Sequence, residues 1–273
     1  MPRLNPRFRD RPRRGIPLRA VAPNAVTALA LCFGLSAVRF AIAQQWELAV
    51  GTIILAGVLD GLDGRIARLL KGESRFGAEL DSLSDVIAFG VSPAVVIYLW
   101  SLQYMPQFGW TIALSQAVCC ALRLARFNAQ IDATEQPRKS AGFFTGIPAP
   151  AGAGLVMVPL YLWLATGQQY PIFRSAYVVA PWTAMCAILL VSSIATYSWG
   201  SLRLRRDVRF GALAVIALLG SALVSAPWPT LSLLALGYLG AVPFSTRAYV
   251  RIKRQRAAAV PSPTARPASD QPS

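Results

Sequence analysis

The chain has 273 residues, of which 55% are hydrophobic and only 14% are charged, and its mean hydropathy is +0.46. A single aqueous core cannot bury that much apolar surface, so the composition excludes an ordinary soluble globular protein and predicts a membrane protein. The sequence contains no histidine, which excludes Ser-His-Asp triads, Cys-His dyads and histidine-ligated zinc.

Apolar stretches long enough to cross a bilayer follow one another along the chain. A hydrocarbon core about 30 Å thick takes ~20 residues of helix. We predict eight membrane helices, at residues 23–43, 46–70, 78–101, 109–128, 149–167, 175–198, 210–226 and 228–247. The last two are also compatible with one re-entrant hairpin. The predicted fold is therefore an all-α polytopic membrane bundle.

Two polar segments flank the predicted membrane domain, which covers residues 23–248. Residues 1–22 combine arginines with prolines, which oppose a long regular helix, and are predicted to form a basic arm. Residues 249–273 begin with basic side chains and end in a stretch rich in Pro, Ser and Ala, which is predicted to be disordered because it lacks apolar surface to bury.

The positive charge follows the predicted topology. The formal net charge is +15, and all 27 lysines and arginines except Arg39 and Arg174 lie in the two termini or in alternate connections between spans. The positive-inside rule therefore places both termini in the cytoplasm, as an even number of spans requires. Basic ends of this kind are topology signals that also contact anionic headgroups, so no nucleic-acid partner is expected.

Acidic side chains are concentrated where the second and third predicted spans meet. Half of the chain's 12 acids lie there, namely Asp60, Asp63, Glu73, Glu79, Asp81 and Asp85. A charged side chain in the centre of a membrane helix costs about 2.5–3.5 kcal/mol on insertion scales. A neighbouring arginine explains any one of these acids, but the set predicts a bound cation.

Helical periodicity predicts that four of these carboxylates converge. At about 100° per residue, one face of the second span carries Asp60, Asp63, Gly64, Ala67 and Arg68, and one face of the third carries Gly77, Asp81 and Asp85. The two spans run in opposite directions, so the acids lie at similar depth near the inner surface. Oxygen ligands select hard divalent ions. The small residues either admit a bulky anionic substrate or allow tight helix packing.

The same residues carry a family resemblance. The pattern Asp60-x-x-Asp63-Gly64-x-x-Ala67-Arg68, followed after eight residues by Gly77-x-x-x-Asp81-x-x-x-Asp85, resembles the signature of CDP-alcohol phosphotransferases at every fixed position. In that family an alcohol attacks the phosphorus of a CDP-linked substrate and CMP is released. The resemblance implies an integral membrane enzyme with its site facing the cytoplasm, one or two Mg²⁺ or Mn²⁺ ions per site, and a homodimer.

The resemblance also implies roles for individual residues. The implied metal ligands are Asp60, Asp63, Asp81 and Asp85, of which Asp85 is also the general base. The implied walls of the CDP pocket are Gly64, Ala67, Arg68 and Gly77. Asn24 and Thr27, at the start of the first predicted span, either cap that helix or contact the nucleotide.

Softer similarities concern the acceptor alcohol. The segments SRFGAELDSLSDVIAFGVSPA, CALRLARFN and GFFTGIPAPAGAG resemble the phosphatidylserine synthase branch, which implies CDP-diacylglycerol and L-serine as substrates. Arg123, Arg126 and Asn128 are then predicted to contact the serine carboxylate or a lipid phosphate. The alternative for the two arginines is snorkelling at a helix end.

Three other functions remain open at this level. The first is the same chemistry with another acceptor, such as glycerol 3-phosphate or inositol phosphate. The second is a cation transporter, which also places acids in membrane helices. The third is a scaffold that binds lipid headgroups without catalysis.

Overall fold

The computed structural model describes residues 18–70, 72, 74–131, 143–192, 195–197 and 209–258. Within these ranges the chain is helical apart from short connections and one pair of strands. The helices are α1 (Leu18–Ile42), α2 (Trp46–Leu70), α3 (Arg75–Asp85), α4 (Ser92–Trp100), α5 (Gly109–Ile131), α6 (Ala149–Val156), α7 (Val158–Ala165), α8 (Ala176–Val191), α9 (Arg209–Ser225) and α10 (Pro227–Ala258). The predicted all-helical class is confirmed, and helices occupy all eight predicted positions.

Among the described residues, two helical stretches are long and apolar enough to cross a membrane by length and composition, Val21–Ile42 and Arg75–Trp100. Ala176–Val191 and Leu213–Ser225 are shorter apolar helices. The number of membrane crossings and the side on which the termini lie therefore stay predictions.

Helix α1 is the element on which the site is assembled. It packs along α2 and also contacts α3 and α4. A π-helical turn, Val86–Val91, joins α3 to α4 without a break. At this turn α1 comes very close, because a Cβ at Gly34 would lie 2.8 Å from the Cα of Ala88. The main apolar core lies between α2, α4 and the α6–α8 region.

Several helices begin or end at residues other than the predicted span ends. Helix α1 begins at Leu18 and α10 continues to Ala258, so each enters a segment that was predicted to be separate from the membrane domain. The predicted span 149–167 is split after Val156, because Pro159 near the start of α7 has no N–H to continue the hydrogen-bond ladder. The remainder of both terminal segments lies outside the described residues.

A strand pair was not predicted. Strand β1 (Phe143–Thr145) pairs antiparallel with β2 (Ala195–Tyr197), with Phe144 opposite Thr196. The predicted span 175–198 therefore ends early, at Val191. The β2 segment lies just beyond that helix end and contains β-branched and aromatic side chains, which favour extended backbone once a partner strand is available.

Candidate functional site

The structure brings together acidic side chains from α2 and α3. Carboxylate oxygens of Asp60, Asp63 and Asp81 all lie within 4.8 Å of one another. The side chain of Asp85, one turn beyond Asp81 on α3, is in hydrogen-bonding contact with that of Asp60. Two helices thus supply four carboxyl groups to one site.

Helix α1 supports one of these carboxylates directly. The hydroxyl of Thr27 donates a hydrogen bond of 2.6 Å to Oδ2 of Asp63, and both side chains are only 4% exposed. Ser84 of α3 donates to the backbone oxygen of Thr27 at 3.3 Å. Because α1 begins at Leu18, Asn24 and Thr27 lie inside the helix, so the suggested capping role is wrong for both.

A cavity of about 300 Å³ opens beside the carboxylates. Its lining comes from α1, α2 and the start of α3, and consists of Pro23, Asn24, Thr27, Asp63, Gly64, Ala67, Arg68, Gly72, Ser74, Gly77, Ala78 and Asp81. All six residues predicted to contact the CDP moiety therefore line the same cavity. Two metal-ligand candidates, Asp63 and Asp81, face the same space.

The two signature glycines differ in what surrounds them. A Cβ at Gly77 would lie 2.7 Å from Oδ1 of Asn24 and 3.1 Å from Oγ of Ser74, so a side chain there would have to displace these two polar groups. Among the described residues outside its own helical turn, no atom lies within 4 Å of the position of a Cβ at Gly64. Gly64 therefore keeps cavity space open, and packing against the described residues does not explain the missing side chain.

The predicted acceptor residues on α5 have different environments. Arg123 acts electrostatically on Asp85, and its buried Nε has no hydrogen-bond partner among the described residues. The guanidinium of Arg126 instead donates to the backbone oxygens of Val191 at 2.8 Å and Ser192 at 3.2 Å. It thereby binds the C-terminal end of α8. Asn128 donates to Oγ of Ser82 on α3 at 2.9 Å.

The donor set fits a hard divalent cation. The carboxylates supply only oxygen atoms, and a common separation below 4.8 Å lets one ion with metal–oxygen distances of about 2.0–2.6 Å contact them all. Asp60 and Asp85 are in contact. Two ionised carboxylates at this distance repel each other, so the contact requires either a bound cation or a proton shared between them. Of the two arginines on α5, Arg123 and not Arg126 interacts electrostatically with Asp85.

Sequence reasoning missed two serines at this site. Ser74 lines the cavity and caps α3 by accepting a hydrogen bond of 3.0 Å from the backbone N–H of Gly77. Its position three residues before Gly77 is an ordinary N-cap signal. Ser82 accepts a hydrogen bond from Asn128. No local sequence pattern predicts this contact, because the two residues are 46 positions apart.

Comparison with known proteins gives consistent matches. The sequence profile of the CDP-alcohol phosphatidyltransferase family matches residues 20–192. The chain is 40% identical over 239 residues to the CDP-diacylglycerol-serine O-phosphatidyltransferase of Mycobacterium tuberculosis, covering 88% of this chain and 82% of that protein. It is 40% identical over 237 residues to the protein of the same name from Mycobacterium leprae, covering 87% and 78%. With the Helicobacter pylori protein of that name it shares 39% identity over 140 residues, covering 51% and 57%.

Proposed function

The chain belongs to the CDP-alcohol phosphatidyltransferase family, and we propose that it transfers the phosphatidyl group of CDP-diacylglycerol to the hydroxyl of L-serine, giving phosphatidylserine and CMP. The acceptor is inferred from the names of the mycobacterial relatives, which match this chain over most of its length. The signature residues alone are shared by enzymes that use different alcohols.

One observation carries the proposal: the carboxylates of Asp60, Asp63 and Asp81 meet beside a cavity of about 300 Å³. A volume of this order is typical of small-molecule sites. The cavity wall has the small residues Gly64 and Ala67 beside the acids, which leaves backbone accessible to an anionic substrate. Asp60, Asp63, Asp81 and Asp85 would hold one or two divalent ions, Mg²⁺ or Mn²⁺, whose charge would neutralise the pyrophosphate of the substrate.

Three side chains of the site have proposed roles in the reaction, as base, as support for a carboxylate and as a contact to phosphate. Asp85 accepts the proton of the acceptor hydroxyl while the hydroxyl oxygen forms a bond to phosphorus. The bond between that phosphorus and the CMP oxygen breaks, and CMP leaves with the electron pair. Thr27 holds the Asp63 carboxylate in one orientation through its hydrogen bond. Arg68, on the cavity wall, is available to a phosphate of the nucleotide.

Arg123 is the residue best placed to receive an anionic group of the acceptor. Its buried Nε has no hydrogen-bond partner in the described ranges, and the side chain lies near Asp85, where the hydroxyl must react. A guanidinium and a carboxylate form charge-assisted, often bidentate hydrogen bonds. Arg126 already has two nitrogens bonded to backbone oxygens, so we assign it to holding α8 and not to the acceptor.

The exposed surface of α9 supports placement in a membrane. Its large apolar side chains point outward all around the helix, including Leu213, Val215, Ile216, Leu218 and Val224. Such a helix needs lipid or another protein against it. Together with the charge distribution, this leads us to propose an integral membrane enzyme whose site faces the cytoplasm. A homodimer remains an expectation from the family resemblance.

An acceptor panel tests the proposed reaction. The purified full chain in lipid nanodiscs receives CDP-diacylglycerol, Mn²⁺ and, in separate reactions, L-serine, glycerol 3-phosphate or inositol phosphate, and CMP release is measured. We expect CMP release to depend on serine and to stop with chelator. If CMP release is the same with and without serine but increases with glycerol 3-phosphate, the assignment of serine as the acceptor is overturned. The reaction type of the family would still hold.

A further inference from the structure

Two of the segments that extend the family resemblance beyond the signature meet in the structure. One contains α3 with Ser82, and the other contains the last turns of α5 with Asn128. The side-chain nitrogen of Asn128 donates a hydrogen bond of 2.9 Å to Oγ of Ser82, across 46 residues of sequence. This contact joins the helix that carries two of the acids to the helix that carries Arg123.

The hydroxyl of Ser82 is held by its own helix. It donates to the backbone oxygen of Ala78 at 3.0 Å, one turn earlier on α3. A hydroxyl has one proton to donate and lone pairs that accept, so the same oxygen accepts from Asn128. The hydrogen bond therefore connects Asn128 to the body of α3 and not only to the end of a mobile side chain.

A second serine holds α3 on its other side. Ser84 donates to the backbone oxygen of Thr27 on α1 at 3.3 Å. With 3.6 residues per turn, Ser82 and Ser84 lie about 160° apart around the helix axis. Hydrogen bonds on nearly opposite sides, to α5 and to α1, oppose rotation of α3. They thereby fix the direction in which the neighbouring Asp85 points.

The hydrogen bond to α5 lies on one side of Asp85, and a close packing contact lies on the other. A Cβ at Gly90, in the π turn that continues α3, would lie 3.1 Å from the Cβ of Cys120. Between the two contacts Asp85 interacts electrostatically with Arg123. Among the described residues, no other side-chain hydrogen bond joins α3 to α5.

We propose that Asn128 is a positioning residue, which acts through Ser82 to hold the Asp85 carboxyl at a fixed distance from the Arg123 guanidinium. This inference rests on the proposed function, in which Arg123 binds an anionic group of the acceptor and Asp85 takes the proton of its hydroxyl. One small acceptor must make both contacts at once. The separation of the two side chains therefore decides whether the hydroxyl reaches the base, and Asn128 does not touch the acceptor itself.

Positioning and direct binding have different kinetic effects. Without the hydrogen bond, α3 can shift relative to α5 while Arg123 still binds the acceptor. A misplacement of about 1 Å can cost about 10²-fold in rate. Loss of the bond therefore lowers kcat and leaves the KM for the acceptor near its wild-type value. A direct contact of Asn128 with the acceptor would instead be lost from KM.

A double-mutant cycle tests the proposal in CMP release by the full chain in lipid nanodiscs. Asn128→Leu and Ser82→Ala should each lower kcat by about 10–100-fold with little change in the KM for the acceptor. The double variant should lose no more than one single variant. The acceptor is the alcohol that supports CMP release in the acceptor panel, so an error in the assignment of serine is detected in the panel and not in this cycle.

The matched control is Trp182→Phe. The indole N–H of Trp182 donates to the backbone oxygen of Leu155 at 2.8 Å, so it joins α8 to α6 and involves neither α3 nor α5. Its removal should lower the melting temperature by about 2–4 °C, as loss of the Asn128 bond should. We expect kcat to stay at the wild-type value in this variant. The comparison separates loss of positioning from a general loss of stability.

Four kinetic results would overturn the proposal. They are an unchanged kcat in Asn128→Leu, a raised KM for the acceptor with kcat retained, kcat losses that multiply in the double variant, and a fall in kcat for Trp182→Phe as large as that for Asn128→Leu. The melting temperatures of the same variants need no catalysis. We expect the losses of Asn128→Leu and Ser82→Ala to be non-additive, and additive losses overturn the proposal independently of the reaction.

Discussion

The Thr27 hydroxyl donates a hydrogen bond of 2.6 Å to Oδ2 of Asp63, joining two buried side chains that are 36 residues apart in sequence. This contact couples α1 to the carboxylate cluster. A hydrogen bond from a neighbouring residue to a ligating carboxylate fixes its orientation, and loss of such a bond typically costs about 10–100-fold in metal affinity or activity.

Replacing Thr27 therefore tests whether orientation of Asp63 matters. We expect Thr27→Val to raise the Mn²⁺ concentration for half-maximal CMP release by about 10-fold, because valine keeps the shape but not the donor. Thr27→Ser retains a hydroxyl and should restore the wild-type value. An unchanged Mn²⁺ requirement in Thr27→Val would show that the hydrogen bond has no role at the metal site.

Gly64 offers a test of substrate space that is separate from folding. A Cβ there meets no atom of a described residue outside its own helical turn within 4 Å, so Gly64→Ala should not lower the melting temperature, and alanine favours the helix by up to about 1 kcal/mol. We expect the KM for CDP-diacylglycerol to rise about 10-fold, because the added methyl group takes up space on the wall of the cavity. A 10-fold change corresponds to the loss of about 1.4 kcal/mol of binding free energy.

The matched control is Gly61→Ala on the same helix. A Cβ at Gly61 would likewise meet nothing within 4 Å in the part of the chain that the structure describes, apart from its own helix, but Gly61 does not line the cavity. Its KM should equal that of the wild type. A KM that does not change in Gly64→Ala would mean that substrate stays away from this wall.

The two arginines of α5 should separate into two kinds of effect. Arg123→Gln is expected to raise the KM for serine by about 10-fold or more, because a charge-assisted contact is lost. Arg126→Gln is expected to lower the melting temperature by about 2–4 °C, because two backbone oxygens at the end of α8 lose their donor, with little change in the KM for serine. The reverse pattern would contradict the assignment.

Asp85 is expected to act in the chemical step. Asp85→Asn should reduce kcat by about 10²–10⁴-fold, the usual contribution of a general base. Its melting temperature in chelator should not fall, because the uncharged asparagine amide can still donate a hydrogen bond to the Asp60 carboxylate. Glu79→Gln, at an exposed acid on α3 outside the cluster, is the control. Activity within a few-fold of wild type in Asp85→Asn would reject the base.

Patterns within one helix made much of this site predictable. The spacing of Asp60 and Asp63 on α2, and of Asp81 and Asp85 on α3, follows the helical period, and a short connection forces the two helices to be antiparallel. Apolar stretches likewise predicted where helices lie, since burial and helix length both follow local composition. The roles of these acids stay proposals, although their convergence is a structural fact.

Contacts between distant segments were not predictable from local sequence. The strands β1 and β2 exist only because Phe143–Thr145 and Ala195–Tyr197 meet in the fold. The π turn at Val86–Val91 depends on packing against α1 and α5, which the period of α3 does not encode. The guanidinium of Arg126 has the same charge as that of Arg123, and only the position of the α8 carbonyls distinguishes their environments.

The most direct test of the account is Mn²⁺ binding to the purified full chain in the absence of substrate, followed by electron paramagnetic resonance. We expect saturable binding that is weakened at least about 10-fold by Asp63→Asn or Asp81→Asn and is retained in Glu79→Gln. Equal Mn²⁺ binding by the wild type and both cluster variants would contradict the claim that these carboxylates hold the ion.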